Sequence, residues 1–353
     1  MTQTKTAVFT GGGTGGHIYP NLALIPDIKD AGLSPVYIGG KGDTLERELC
    51  QKRNIPYFGV STIKLRRDIS FDSLKNNLAI PQKLRRGINE AKAVLENLSP
   101  KFIFSKGGFV SLPVVIAAKK LGVPIFAHES DRTLGLANKL AKLYGATILK
   151  GNPTSTFKGE FVGIPLRREL FCANRETAIK NLGISNKNNK KTLLVMGGSS
   201  GAQIFNDFVK ENLENLTNDY FVLHLTGKGK GQKSSHSNYL AFEYAENVAD
   251  FYAASDIVLS RAGATALFEI STLKKRAVFV PLPKGASRGD QLFNGELAKE
   301  YGAFRVEQTA DLSTFFAELK KNVDLAEKNP PMRTIANDTN GKILEYIFAN
   351  LHS

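Results

Sequence analysis

The chain is poor in cysteine, short of acids relative to its bases, and without a long apolar run, and each shortage closes off a class of protein. Its two cysteines, Cys50 and Cys172, lie far apart and show no metal-ligand spacing. That usage fits a reducing cytoplasm rather than a disulfide framework. The longest apolar stretches, such as Pro113 to Ala118, are much too short to cross a bilayer, and no signal-peptide core precedes Gly11. A soluble or peripheral protein is therefore expected. The acids number 33 against 47 lysines and arginines, a formal net charge of +14. A balance that basic calls for an anionic partner, whether nucleic acid, anionic lipid or a phosphorylated substrate; solubility alone is the plainer alternative. No nucleic-acid reader module or aromatic stacking platform is recognisable, so no nucleic acid is expected. With 353 residues and 42% hydrophobic content, the chain has the length for two domains and the apolar surface for a core in each.

Glycine is concentrated at one place, Gly11-Gly12-Gly13-Thr14-Gly15-Gly16-His17. A β-branched and aromatic run from Thr4 to Thr10 precedes it and reads as a buried strand; an apolar-periodic segment from Asn21 to Lys29 follows and reads as a helix. Strand, glycine turn and helix start make a backbone cradle for a phosphate-bearing ligand, because amides without side chains can approach oxyanions and the helix N-terminus adds partial positive charge. The spacing Gly11-x-Gly13-x-x-Gly16 satisfies the dinucleotide fingerprint, but the acid that should hold the ribose is missing from the end of the second strand, Pro35 to Ile38; Asp43 comes late. No Gly-Lys-Ser/Thr closes a P-loop either. His17 at such a turn invites a proton-transfer role, with capping of the helix start as the plainer alternative.

Strands and helices then alternate. Between Lys64 and Lys92, cations that include Arg85 and Arg86 are interleaved with Leu74, Leu78, Ile80, Leu84 and Ile88, and Pro81 divides the stretch into two helical pieces. Apolar residues ringed by Lys and Arg describe a surface for anionic lipid; a core-facing amphipathic stripe is the plainer use of the same period. Lys101 to Phe104 reads as a strand, followed by the turn Ser105-Lys106-Gly107-Gly108 and a helix from Pro113. Val123 to Ala127 reads as a strand ending in His128-Glu129-Ser130-Asp131. After a Ser-, Asn- and Lys-rich loop at Ile184 to Lys191, Thr192 to Met196 restarts the same grammar with Gly197-Gly198-Ser199-Ser200-Gly201. The pattern predicts parallel sheets with helices on both faces and ligands at the carboxyl ends of the strands.

Six segments, taken in order, resemble the MurG family of peptidoglycan N-acetylglucosaminyltransferases: Gly11 to Pro20, Ser105 to Pro113, His128 to Lys139, Met196 to Gln203, Ser260 to Glu269 and Arg288 to Asn294. The His128-Glu129-Ser130-Asp131 form is similar to that of low-GC Gram-positive bacteria. The resemblance implies an α/β chain of the GT-B fold, two Rossmann-like parallel-sheet domains facing across a cleft. Residues 1–165 would form the acceptor and membrane-facing domain, with a C-terminal helix at 340–353 packing back on it; residues 166–339 would bind UDP-N-acetylglucosamine. It further implies an inverting transfer of N-acetylglucosamine from its UDP carrier to the 4-hydroxyl of N-acetylmuramic acid in lipid I, an undecaprenyl diphosphate, at the cytoplasmic face of the membrane. No cofactor is implied. Cell-wall synthesis or division proteins are possible partners. Another GT-B enzyme with a different acceptor and a non-catalytic UDP-sugar binder are the rival readings.

The same resemblance distributes roles. His17 is the candidate base, with His128 and Glu129 as rivals; Gly13, Thr14, Gly15, Gly16, Gly107 and Gly108 would hold the acceptor diphosphate. Thr14, Gly15, Gly16, Asp131, Arg167, Ser199, Ala245, Arg261, Gly263, Ala264, Thr265, Leu267, Phe268, Glu269, Asp290 and Gln291 would meet the donor, Glu269 through the ribose hydroxyls and Arg167 through the diphosphate. A carboxylate suits a vicinal diol and a guanidinium suits phosphate. Asp131, Ala245 and Asp290 depart from the family's asparagine, isoleucine and glutamine. Leu74, Leu78, Leu84, Arg85 and Arg86 would face the membrane. No Asp-x-Asp pair sits at a strand end, so no metal site is expected, with helix N-termini and Arg167 in place of a divalent cation.

Overall fold

The computed structural model describes residues 5–62, 80–185, 189–198, 200–231, 236–283, 285 and 289–351. Ser199, Leu74 and Leu78 lie outside the described residues. The chain divides into two compact units: the first runs to Leu166 and resumes at Asp338, and the second is Arg167–Asn337.

In the first unit, β1 (Thr6–Thr10), β2 (Ser34–Gly40), β3 (Tyr57–Val60), β4 (Phe102–Ser105), β5 (Ile125–Glu129), β6 (Thr147–Lys150) and β7 (Glu160–Phe161) form a parallel sheet in the order β3-β2-β1-β4-β5-β6-β7. Its helices are α1 (Gly15–Asp30), α2 (Leu45–Lys52), α3 (Ile80–Leu98), α4 (Leu112–Lys120) and α5 (Leu136–Leu143). Side chains alternate across β1. Ala7 and Phe9 enter a core with Leu22, Leu24 and Ile25 of α1; Val8 enters the opposite core with Ala91 and Leu95 of α3 and Val114 and Val115 of α4. A strand buried on both faces reads as a near-continuous apolar run, and β1 does so at Ala7, Val8 and Phe9 between its end threonines.

The second unit contains α6 (Glu169–Cys172), α7 (Arg175–Asn181), β8 (Lys191–Met196), α8 (Gln203–Glu211), α9 (Leu213–Asp219), β9 (Tyr220–Leu225), β10 (Tyr239–Phe242), α10 (Val248–Ala254), β11 (Ile257–Arg261), α11 (Ala264–Thr272), β12 (Arg276–Val280), α12 (Asp290–Glu300), β13 (Phe304–Arg305) and α13 (Leu312–Lys328). Its parallel sheet runs β10-β9-β8-β11-β12-β13. Leu193, Val222, Ile257 and Val278 meet Phe205 and Phe208 of α8 and Phe315 and Leu319 of α13 in its core. The chain then returns to the first unit as α14 (Thr339–Ala349), whose Ile343 and Ile347 join the α1 core. Asn340 fastens it there, bonding Asp27 Oδ2 at 2.8 Å and both the N–H and the carbonyl of Leu166.

Some element bounds differ from the sequence expectation. Helix α1 begins at Gly15, six residues before the expected Asn21, so His17 is in its first turn and Thr14 is its N-cap. It also runs through Pro20 and Pro26; burial of Ile18, Leu22, Leu24, Ile25 and Ile28 outweighs the missing N–H groups. Strand β5 extends through His128 and Glu129, both expected in the turn beyond it. Pro81 is the second residue of α3, and the helical piece expected before it, residues 63–79, lies outside the described residues. No helix among the described residues is long and apolar enough to cross a membrane.

Candidate active site

In each sheet the strand order reverses beside the first strand, between β1 and β4 and again between β8 and β11. Such a switch point splays the adjoining loops apart and makes the crevice where α/β sheets bind ligands. Three of the four loops at these points are the glycine turns singled out in the sequence, and the fourth, after β11, carries Gly263.

In the first unit the turns at Gly11–Gly16 and Lys106–Gly108 touch. A Cβ on Gly108 would lie 2.8 Å from the Gly12 carbonyl oxygen, so a side chain there would force the turns apart. Tyr37 of β2 supports the first turn from below: its hydroxyl donates to the Gly11 carbonyl at 2.6 Å and accepts from Asn21 Nδ2 at 3.0 Å. Thr14 is exposed and its side chain makes no cap bond. His17, in the first turn of α1, reaches across to the second turn. Its Nδ1 lies 2.9 Å from the carbonyl of Lys106, on the second turn. A carbonyl can only accept, so Nδ1 carries the proton and a neutral His17 keeps its basic lone pair on Nε2.

The rivals of His17 each have several partners of their own. His128 is fully buried; its Nε2 donates to the Gly163 carbonyl at 2.7 Å and its Nδ1 accepts from Lys106 Nζ at 2.7 Å. Burial and the Lys106 ammonium hold it well below the ordinary imidazole range. Glu129 accepts from the N–H groups of Asp131 and Gly135 and from Asn138 Nδ2, so it shapes the loop that carries half-buried Asp131. Lys106, only 2% exposed, also bonds Ser130 Oγ at 2.6 Å; burial pushes its amine down to about 8, against the pull of Glu129 and Asp131.

In the second unit, the turn after β8 packs against the end of β9: a Cβ on Gly201 would collide with the Thr226 carbonyl. Gly263 N-caps α11 with no side chain in the way, and Ala264 and Thr265 follow in its first turn, half-buried. Glu269, one helical turn further and 3% exposed, receives Arg167 Nη2 on Oε1 at 2.7 Å and the Tyr252 hydroxyl on Oε2 at 3.0 Å. Gln291 accepts from the Leu282 N–H at 3.1 Å through Oε1, which leaves its amide group as a donor; Asp290 opens α12 beside it, buried. Ala245 lies just beyond β10, half-buried, next to Tyr244, whose ring faces Lys228 Nζ at 5.4 Å.

Three residues expected at the donor also have partners within the unit. Leu267 and Phe268 are buried, their side chains part of the packing. Arg261 donates to the carbonyls of Val280 and Pro281 and to Gln308 Oε1 and lies over the Phe205 ring, a structural tie between neighbouring strands. On α3, Leu84 packs with Leu112 and Ile116, and Arg86 Nε bonds Glu90 at 3.0 Å, whereas Lys83 and Arg85 are exposed. Of the supporting residues, Lys106 lies within the Ser105 to Pro113 segment but without an assigned role, and Tyr37, Asn21 and Tyr252 belong to no motif.

Two glycine-cradled switch points on two parallel-sheet units are the architecture of a GT-B glycosyltransferase, and family models agree. The glycosyltransferase family 28 N-terminal domain matches residues 7–149 and the family's C-terminal domain matches residues 192–344. A crystal structure of MurG from Acinetobacter baumannii superposes with a TM-score of 0.71 at 22% identity, covering 98% of this chain and 99% of that one, a likeness of fold. The UDP-N-acetylglucosamine–N-acetylmuramyl-(pentapeptide) pyrophosphoryl-undecaprenol N-acetylglucosamine transferase of Clostridium botulinum is 42% identical over 84% of each chain, and the transferase of that name from Clostridium perfringens is 38% identical over 98% of each. The chain belongs to this MurG family of N-acetylglucosamine transferases.

Proposed function

We propose that the chain transfers N-acetylglucosamine from UDP-N-acetylglucosamine to the 4-hydroxyl of N-acetylmuramic acid in lipid I, forming lipid II with inversion in peptidoglycan synthesis. The observation that carries this is end-to-end similarity, at 38% identity over 98% of both chains, to a transferase named for that donor and that acceptor. The glycine turns are its structural counterpart, because each substrate carries a diphosphate.

Donor binding falls to the second unit. Glu269 accepts the ribose hydroxyls, Arg167 and the amides around Gly198 and Gly201 take the diphosphate, and the Gln291 amide meets the sugar. The acceptor diphosphate falls to Thr14 and the amides of Gly13, Gly15, Gly16, Gly107 and Gly108, where the N-terminus of α1 favours negative charge. His17 is the base: Nε2 takes the proton of the 4-hydroxyl as its oxygen bonds the anomeric carbon, and the bond from that carbon to the diphosphate breaks with its electron pair leaving on UDP. The Lys106 carbonyl holds the ring in the tautomer this requires.

The acceptor is a lipid, so the enzyme works as a peripheral protein on the cytoplasmic membrane face. Exposed Lys83 and Arg85 on α3, and Leu136 and Leu143 on α5 at 52% and 78% exposure beside Lys139 and Lys142, support a docking face for anionic lipid. UDP release measured with lipid I, against simple sugar acceptors, tests the reading. His17→Ala should lower turnover at least about a hundredfold, the usual worth of a general base, with UDP affinity retained. Release with simple sugars but not lipid I would refute the acceptor; wild-type turnover in His17→Ala would refute the base.

A further inference from the structure

Under the proposed reading, Glu269 accepts the ribose diol and Arg167 neutralises the diphosphate, yet in the structure these two side chains bond each other at 2.7 Å. A guanidinium that turns to the diphosphate gives up that bond and removes one restraint on the carboxylate. A glutamate's terminal torsion is broad, so the carboxylate plane then needs another anchor to stay matched to two adjacent hydroxyls. Tyr252 is placed to be that anchor. It sits on α10, a different element from Glu269 on α11; its ring is 0% exposed, and its hydroxyl reaches Oε2 at 3.0 Å.

We infer that Tyr252 is a positioning residue of the donor site, holding the Glu269 carboxylate in the plane that reads the ribose while Arg167 is engaged by the diphosphate. This rests on the proposed donor site. Each carboxylate oxygen accepts two hydrogen bonds, so the tyrosine leaves Oε2 with room for a ribose hydroxyl. Burial, with the Glu269 charge beside it, pushes the Tyr252 phenol well above its ordinary value, so it remains an O–H donor throughout the working pH range.

The experiment compares Tyr252→Phe and Glu269→Gln with the wild type, using UDP-N-acetylglucosamine and its 2′-deoxyuridine analogue as donors and lipid I as acceptor. Losing a hydrogen bond to a charged group is worth about tenfold, so in Tyr252→Phe the KM for the ribose donor should rise by about that factor, with the loss in KM rather than kcat. The preference for ribose over 2′-deoxyribose should shrink by a similar factor, a readout that loosened packing alone does not move. If KM rises equally for both donors, or stays at the wild-type value while Glu269→Gln raises it, Tyr252 does not position the carboxylate and the donor site stands without it. If Glu269→Gln leaves both KM and ribose preference unchanged, the ribose reading of Glu269 falls, and this inference with it.

Discussion

Gly108→Ala tests whether the contact between the two glycine turns is what assembles the proposed acceptor site. Gly108 has a φ of +76°, and an added Cβ would lie 2.8 Å from the Gly12 carbonyl oxygen and 3.4 Å from His17 Cδ2. Both near neighbours on the Gly12 side are backbone, so relief requires moving a turn rather than a side chain. Gly122 supplies the control: its φ is +69°, and a Cβ there meets nothing within 4 Å. The left-handed backbone costs about 1–2 kcal/mol in either variant. Overpacking adds about 1–3 kcal/mol at Gly108 alone. In a unit of this size about 1 kcal/mol moves Tm by about 2–4 °C, so Gly108→Ala should melt several degrees below Gly122→Ala. Displacing the Gly11–Gly16 turn by a fraction of an ångström should also cost about 10- to 100-fold in kcat with lipid I, while UDP affinity in both variants and turnover in Gly122→Ala stay at the wild-type level. Thermal unfolding, UDP titration and lipid I turnover read these directly. Equal melting and equal turnover in the two alanine variants would refute the idea that the turns depend on each other.

Three further outcomes follow from the same geometry. Tyr37→Phe removes the hydroxyl that joins Gly11 to Asn21 and should cost about 1–3 kcal/mol, read as a lower denaturation midpoint; an unchanged midpoint would show that the turn needs no such support. His224 is fully buried, and burial pushes its imidazole down to about 4. The unfolded chain takes up that proton near about pH 6.5, so stability is complete above that pH and falls as pH drops towards 4, by up to about 3 kcal/mol; His224→Phe should flatten this limb of the Tm–pH curve, and an equally steep limb would exclude His224 as its source. Replacing Lys83 and Arg85 by Glu, with Arg86 left to hold Glu90, should weaken sedimentation with anionic vesicles at least about tenfold but spare activity on a water-soluble lipid I analogue. Equal vesicle binding would remove the docking face from α3.

The errors in reading the sequence share one cause. Gly15 and Gly16 are poor helix formers, which placed the start of α1 too late; burial of Ile18 and the residues beyond it overrides that preference. Polar His128 and Glu129 read as turn residues, yet they complete β5 because Lys106, Gly163 and Asn138 satisfy them. Arg261, named with the donor residues, carries bonds to carbonyls of the next strand that no local pattern announces.

By itself the sequence determined the two sheet units, the glycine turns and the chemical class, because strand alternation, helical period and the conformational needs of glycine are properties of a few consecutive residues. Only the tertiary structure decided which polar groups meet. The Lys106 carbonyl, 89 residues from His17, selects that histidine's tautomer, and Tyr252 and Arg167, 17 and 102 residues away, hold Glu269. The first pairing arises from strand order, with β4 beside β1, and the others from helix packing around β11; both are set by how crossover segments pack on a sheet rather than by the residues at either end of the bond.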